Sequence, residues 1–385
     1  MSTATLEAQG FVPVPVRAIE KELARQFQAE QDPGGPPIQR ARLSNLVIYC
    51  DRTEQVEMVT AALPEIIGVH PARVLLLDVE PSNDAGALTA AVRVRTKYVH
   101  GTQEIGSEQV TIRALGQAID HVPNVVRGLL IGDLPTNLWW ASTQPPPLAG
   151  PLLYDLADSA QQIIYDSFAW PEPARGIAAT AGWLAKFERG REQGGLYRVA
   201  SDLTWRRLKP WRKTLAQALD PATAPGALAS AADVLIEHGP HSVTFAWSLA
   251  SWLIQGLGWH SGGAWVKPGE QIDWHLTSPG GPRHLCLRRL GDRPSGIHQV
   301  RISCAIDDAP CGLTISPCEE ARRLRIVLEG GDAAARTVTM TTPSLPELIG
   351  QQLSDRERDP VFRATMTVAQ TLAQRVLDTQ HIKSN

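Results

Sequence analysis

His238 and His241 flank Gly239 and Pro240 in a stretch that reads as a loop, a spacing that could present two imidazoles to a metal ion. No cysteine or carboxylate joins them nearby, so histidines between a strand and a helix are the simpler reading and no metal site is expected. The acidic pairs Asp307 with Asp308 and Glu319 with Glu320 fall in turn-like sequence. Solvated loop ends explain them better than a general acid and base, because nothing around them would raise a carboxyl pKa. The five cysteines, Cys50, Cys286, Cys304, Cys311 and Cys318, are an odd number without C-x-x-C spacing, so neither a disulfide scaffold nor a zinc site is indicated. Cys311 and Cys318 bound the segment CGLTISPC. If that segment is extended, their Cα atoms lie beyond the roughly 4.4–6.8 Å of a disulfide. Reduced thiols are therefore expected, and the two form a candidate redox couple only if the segment folds back.

A phosphate cradle needs glycines between a strand and a helix N-terminus, so that the backbone can approach the anion and point its N–H groups at it. The nearest string, GLGWHSGG at 256–263, follows a helical pattern instead of opening one. Walker, G-x-S-x-G and H-E-x-x-H patterns are missing from the chain. No catalytic residue and no cofactor are expected.

Tryptophan and arginine carry the remaining signal. The stretch DLTWRRLKPWRKTL sets Trp205 and Trp211 among Arg206, Arg207, Lys209, Arg212 and Lys213, and the chain holds eleven tryptophans in all. On a helix, residues six apart lie about 240° from one another, so the two indoles share no face unless Pro210 changes the winding. One is expected in the core with Leu208 and Leu215 and the other among the cations. Asp202 is placed to cap the helix and Pro210 to divide it. Three readings stay open: a core helix with a solvated basic face, a protein-docking surface, or an anion or nucleic-acid strip, since tryptophan and arginine dominate interface hot spots. Trp139 and Trp140, adjacent in LPTNLWWAS, must point to opposite faces of a strand, so either both sheet faces are covered there or one indole meets a partner.

These residues need a scaffold, and the pattern of apolar runs supplies one. At 385 residues the chain is long enough for two cores. The segment 1–39 reads as a short helix, VRAIEKELARQFQAE, and a Pro/Gly linker. From 40 to 220 the runs LSNLVIYC and ARVLLLDV are nearly continuous, as for strands covered on both faces, with the helical DRTEQVEMVTAALPEII between them. LTAAVRVRTKYV and EQVTIRAL alternate and read as half-exposed strands, and 176–219 reads as mostly helical. This is an α/β domain with an open, mostly parallel sheet and no nucleotide fingerprint. Residues 221–385 read as an α+β domain: ADVLIEH, a buried helix SVTFAWSLASWLIQGL, a series of short alternating strands forming an antiparallel sheet, and two C-terminal helices.

Composition narrows the partners. Hydrophobic content of 43%, charged content of 20% and a formal net charge of -3 describe an ordinary globular chain with no general attraction to polyanions, so nucleic acid is not expected as a partner. MSTATLEAQGFVPVPV lacks the features of a secretory signal, and the longest apolar candidate, 243–257, is broken by serines, Gln255 and Gly256. A soluble, cytoplasmic protein without membrane contact is the expectation.

The pieces RARLSNLVIYC, HPARVLLLD, SEQVTIRALG, DHVPNVVRGLLIGDLPTNLWWAS, IIYDS and DLTWRRLKPWRKTLAQALD occur in this order over most of residues 40–260. With them the chain resembles the OpcA family, the glucose-6-phosphate dehydrogenase assembly proteins of cyanobacteria and other bacteria. The resemblance implies a non-catalytic protein that binds glucose-6-phosphate dehydrogenase, promotes its active oligomer and raises flux into the oxidative pentose phosphate pathway. On that reading docking is expected at the tryptophan and arginine stretch, Asp202, Trp205, Arg206, Arg207, Lys209, Trp211 and Arg212, with the strand end at Asn137, Trp139 and Trp140. The family's association with thiol control makes thioredoxin a further candidate partner, with Cys311 and Cys318 as the thiols. The alternative is a sugar-phosphate-binding protein or enzyme whose site lies at the strand ends of the α/β domain, with Arg127 or Arg175 gripping phosphate.

Overall fold

The computed structural model describes residues 10–30, 42–83, 86–99, 103–188, 198–306, 309–318, 322–329 and 335–384. In chain order the first half contains β1 (Val12–Val14), α1 (Ile19–Glu30), β2 (Ser44–Cys50), α2 (Thr53–Val69), β3 (Ala72–Glu80), β4 (Leu88–Val99), β5 (Gln103–Leu115), α3 (Val122–Leu129), β6 (Thr136–Trp140), α4 (Leu152–Ala157), β7 (Gln162–Tyr165), α5 (Pro173–Phe187) and β8 (Val199–Asp202). Its eight strands lie in the order β1-β4-β5-β3-β2-β6-β7-β8. The six from β5 to β8 run parallel. β4 and β1 add an antiparallel edge. Strand order reverses at β2, with β3 and β5 on one side and β6, β7 and β8 on the other, which is the topology of a doubly wound sheet with its switch point between β2 and β6.

The second half continues with α6 (Leu203–Arg207), α7 (Lys209–Ala218), α8 (Ala227–Ser230), β9 (Asp233–His238), α9 (Val243–Leu257), β10 (His260–Lys267), β11 (Gln271–Ser278), β12 (Gly281–Arg289), β13 (Ile297–Ile306), β14 (Ala309–Pro317), β15 (Arg323–Glu329), β16 (Arg336–Thr339), α10 (Leu345–Ser354) and α11 (Pro360–Ser384). Its strands form one sheet ordered β10-β11-β12-β9-β13-β14-β15-β16. All neighbours are antiparallel except β12 with β9. The α/β half followed by an antiparallel half is the expected fold class.

The boundaries differ from the sequence reading in three places. The N-terminal segment is part of the first sheet: β1 pairs with β4, and α1 buries Ile19, Leu23 and Phe27 against it. The Pro/Gly linker, 31–41, lies outside the described residues, as do the acidic pairs Asp307–Asp308 and Glu319–Glu320. At the other end the last two helices return to the first half. α10 packs on α2, while α11 packs on α5 as well as on α9 and β10. Third, β8 and β10 are strands where the sequence indicated helix and glycine loop. β8 is only four residues long, too short to show a period, and β10 carries Gly262 and Gly263 at an irregularity in its register.

β5 is also not half exposed. It lies between β3 and β4, and Ser107, Glu108, Gln109 and Thr111 are buried, Glu108 within a charge network. Glu108 accepts from Arg73 Nε at 2.8 Å and pairs with Arg42, and Arg73 reaches Glu20 Oε1 at 2.6 Å and the Leu129 carbonyl at 2.9 Å. Alternation marks a two-faced strand. Here the polar face is covered by its own ionic partners instead of by water.

The adjacent tryptophans of β6 find both faces covered. Trp139 belongs to the core beneath α2 and α10. Trp140 joins the larger core and stacks on Tyr49 with ring centres 4.0 Å apart. Its indole Nε1 donates to the Gln144 carbonyl at 3.1 Å.

Candidate functional site

The tryptophan and arginine stretch runs from the end of β8 through α6 into α7, and Pro210 divides the two helices as its missing N–H requires. Asp202 is the N-cap, its carboxylate accepting from Thr204 N at 2.9 Å. It also accepts from Ser167 N at 3.0 Å and Ser167 Oγ at 2.6 Å, so one buried carboxylate ties the loop after β7 to the start of α6. Burial, aided by the nearby charge of Asp166, pushes its pKa up from 3.8 to about 7, against the pull of those hydrogen bonds.

That shift has a pH signature. Between about 3.8 and 7 the folded state holds a proton on Asp202 that the unfolded state has released, so stability falls as pH rises through this window, by about 1.4 kcal/mol per unit for one full proton, and is flat on either side. Chemical denaturation from pH 4 to 8 should show this loss in the native chain, and Asp202→Asn, which keeps the cap but cannot titrate, should lack it. Parallel profiles for the two proteins would refute the assignment.

Both indoles of the stretch are buried, correcting the expectation that one lies among the cations. Trp205 Nε1 donates to Asp359 Oδ2 at 2.7 Å and its ring meets Phe362 at 5.5 Å, both contacts coming from the start of α11. Arg212 lies over the other side of the ring, its Cζ 3.4 Å from the centroid, with Nη2 donating to the Trp205 carbonyl at 3.2 Å. Burial lowers the Arg212 pKa to about 10, partly offset by the charge of Asp359. Trp211 joins the core with Leu208 and Leu215.

The arginines are equally committed. Arg207 makes a fork on Asp166, both bonds at 2.7 Å. Arg206 donates to Gln352 and, at 2.5 Å, to Asp355 Oδ2, linking α6 to the end of α10. Lys209 and Lys213 are exposed and form no ion pair among the described residues. Together with the segment from Gln352 to Arg363 the stretch walls a cleft of about 440 Å³. On its far side Glu188 pairs with Arg363 and, at 3.3 Å, with Arg358. Most of the charges lining the cleft are therefore paired within the chain, while Lys209, Lys213 and Glu357 form no ion pair among the described residues.

Asn137, Trp139 and Trp140 do not join this cleft. They sit on β6 in the middle of the first sheet, essentially without exposure, so they offer no docking surface as the fold places them. Neither side-chain polar atom of Asn137 has a partner among the described residues. Asp202, Trp205 and Trp211 are likewise buried. Sequence reasoning missed Gln352, Asp355, Asp359 and Phe362, which complete the cleft from about 150 positions away and carry no local signature.

The remaining candidates are resolved individually. Cys311 and Cys318 form no couple, because β14 is extended and holds them apart at its two ends. Cys311 instead forms a disulfide with Cys304, directly opposite it on β13, with Cα atoms 5.2 Å apart, and Cys318 is free. This corrects the expectation that both thiols are reduced. His238 Nδ1 donates to the Gly239 carbonyl at 2.8 Å, burial lowers its pKa, and no metal-binding group of histidine, cysteine and carboxylate occurs among the described residues. Among the described residues Arg127 is engaged by Asn124 on its own helix and Arg175 by Glu172, the residue just before its helix, and the two arginines do not converge on a strand end. At the switch point the turn after β2 reads Asp51-Arg52-Thr53 without glycine, and Ser142 Oγ donates to Asp51 Oδ2 at 2.6 Å across the crevice. No described helix is long and apolar enough to cross a membrane.

Solved structures with this arrangement have unlike roles. Levoglucosan dehydrogenase in complex with NADH and L-sorbose aligns over 89% of this chain and 98% of its own at a TM-score of 0.51 and 9% identity. A super-repressor form of Gal80p from Saccharomyces cerevisiae aligns over 89% and 97% at a TM-score of 0.50 and 8% identity. Such likeness shows the fold alone. Among curated proteins, OpcA of Synechocystis sp. is 22% identical over 325 residues, 80% of this chain and 65% of its own length. OpcA of Nostoc punctiforme is 25% identical over 279 residues, 68% of this chain and 56% of its own. The chain thus spans less than two thirds of the relatives it matches. Family models described as the glucose-6-phosphate dehydrogenase subunit N-terminal and C-terminal domains match residues 64–181 and 198–366. With both domains present in order over most of its length, the chain belongs to the OpcA family of glucose-6-phosphate dehydrogenase assembly proteins.

Proposed function

We propose that this chain is a non-catalytic subunit that binds glucose-6-phosphate dehydrogenase and favours the enzyme's active oligomer, raising entry of sugar into the oxidative pentose phosphate pathway from the cytoplasm. The observation that carries the reading is the match to both subunit domains, one on each half of the chain. Activation then means tighter binding to the competent state of the enzyme than to the other, since a ligand shifts an equilibrium only by its differential affinity. Co-elution on a sizing column and coupled assays with and without this chain test the proposal, and unchanged oligomer size and rate would refute it.

The rim lysines are the docking residues this reading selects, because Arg206, Arg207 and Arg212 already have partners inside the chain. Lys209→Glu combined with Lys213→Glu is expected to weaken enzyme binding by at least tenfold while leaving the unfolding midpoint within about 0.5 kcal/mol of the parent. Equal affinity of the double variant would move the interface elsewhere. A thioredoxin contact, in the same reading, would act on the Cys304–Cys311 bond and not on a Cys311–Cys318 couple.

A further inference from the structure

A second cavity, of about 590 Å³, lies between the two halves of the chain. Its walls come from the loop after β7, the loop after β9, the strands β10 to β12 and the last turns of α11. Four independent observations converge on it. First, of the three non-glycine residues with positive φ among the described residues, two line it: Ala169 at 62° and His241 at 58°, each in one of the two loops. Side chains held in the left-handed region cluster where a surrounding structure needs an unusual backbone path, and function is the usual reason. Second, Trp170 and Trp247, buried residues that border it, carry indole N–H groups that find no acceptor among the described residues. Buried donors are nearly always satisfied, so two on one cavity point to an acceptor that the chain itself does not provide. Third, Arg289 stands in the lining with a single long contact, Nη1 to the Gly269 carbonyl at 3.5 Å, and no ion pair among the described residues. Fourth, His238 donates through Nδ1 to Gly239, which leaves Nε2 as an acceptor.

We infer that this cavity binds a small hydroxylated organic anion, a sugar phosphate or a sugar acid. Arg289 would take the anionic end, the indole N–H groups and the His238 ring nitrogen would exchange hydrogen bonds with hydroxyls, and the apolar walls at Val243, Ile272 and Leu287 would cover carbon faces. The site belongs to the isolated chain and does not depend on the dehydrogenase reading. Neither family model is described by a ligand, so the site is additional to the assembly role.

Trp170 and Trp247 make the test direct, because their emission reports on an occupant. The full-length chain is titrated with glucose 6-phosphate, gluconate, glucose and inorganic phosphate, followed by tryptophan fluorescence and by thermal shift. At least one of the two hydroxylated anions is expected to give a saturable change below millimolar concentration, with glucose and inorganic phosphate at least tenfold weaker. Which anion binds separates phosphate from carboxylate as the recognised group. Arg289→Ala, an exposed position, should weaken that binding by tenfold or more, and Trp170→Phe, which keeps the ring and removes the N–H, should weaken it several-fold. No saturable response to either anion, an equal response to inorganic phosphate or glucose, or affinity unchanged in Arg289→Ala overturns the inference. A dehydrogenase that ignores the chain while the titration saturates would refute the assembly reading and leave this one standing.

Discussion

Trp205→Ala is expected to lower the stability of the protein by about 3–5 kcal/mol, read from urea denaturation at neutral pH. The indole is buried, so its removal leaves a cavity that the surrounding helices fill only in part. It also serves three partners at once. Asp359 loses its 2.7 Å donor at the start of α11, Phe362 loses its ring contact, and the Arg212 guanidinium loses the face it covers. A half-buried cation without its cover moves toward water and takes the α6–α7 corner with it. A loss below about 1 kcal/mol would show that this stretch is a surface element and would return Trp205 to the list of docking residues.

Glu108→Leu is expected to cost a similar amount, about 3–5 kcal/mol, for an electrostatic reason. Glu108 and Arg73 are both buried, and the carboxylate is the buried one of the two counter-charges on that guanidinium. Truncating one partner leaves the other charged in a medium that solvates it poorly. Glu20, the other acid on Arg73, is largely exposed and would not compensate. The double variant Glu108→Leu with Arg73→Leu should recover the part of the loss that comes from the buried Arg73 charge, while Arg42 still loses its carboxylate partner. Additive losses in the double variant would refute the pairing.

How far these features were legible in the sequence depends on the range of the interaction. Asp202 as a cap and Pro210 as a divider are local rules, and the structure obeys both. The continuous runs of β2 and β3 and the amphipathic pattern of α11 were readable because burial on both faces, or on one, leaves a period in the chain. Glu108 looked like the polar face of a half-exposed strand, since alternation reports that a side chain is polar and not what covers it. The cleft at Trp205 needed Asp359 and Gln352, which meet it only after the whole second sheet has been built. The Cys304–Cys311 bond required the register of the β13–β14 hairpin, whereas the sequence drew attention to Cys311 and Cys318 as the two ends of CGLTISPC. The docking expectation rested on residue types that favour interfaces, and the same tryptophans fill a core equally well; in the fold Trp139, Trp140, Trp205 and Trp211 are interior.

The return of the last two helices to the first sheet has a consequence for synthesis. α2 keeps an apolar face until α10 covers it, and α5 keeps one until α11 arrives. A ribosome that has finished the α/β half has therefore produced an unsealed intermediate, and the sticky surfaces stay open until the closing helices leave the exit tunnel. A chain cut short before α10 should consequently be insoluble, although every residue of the first sheet is present.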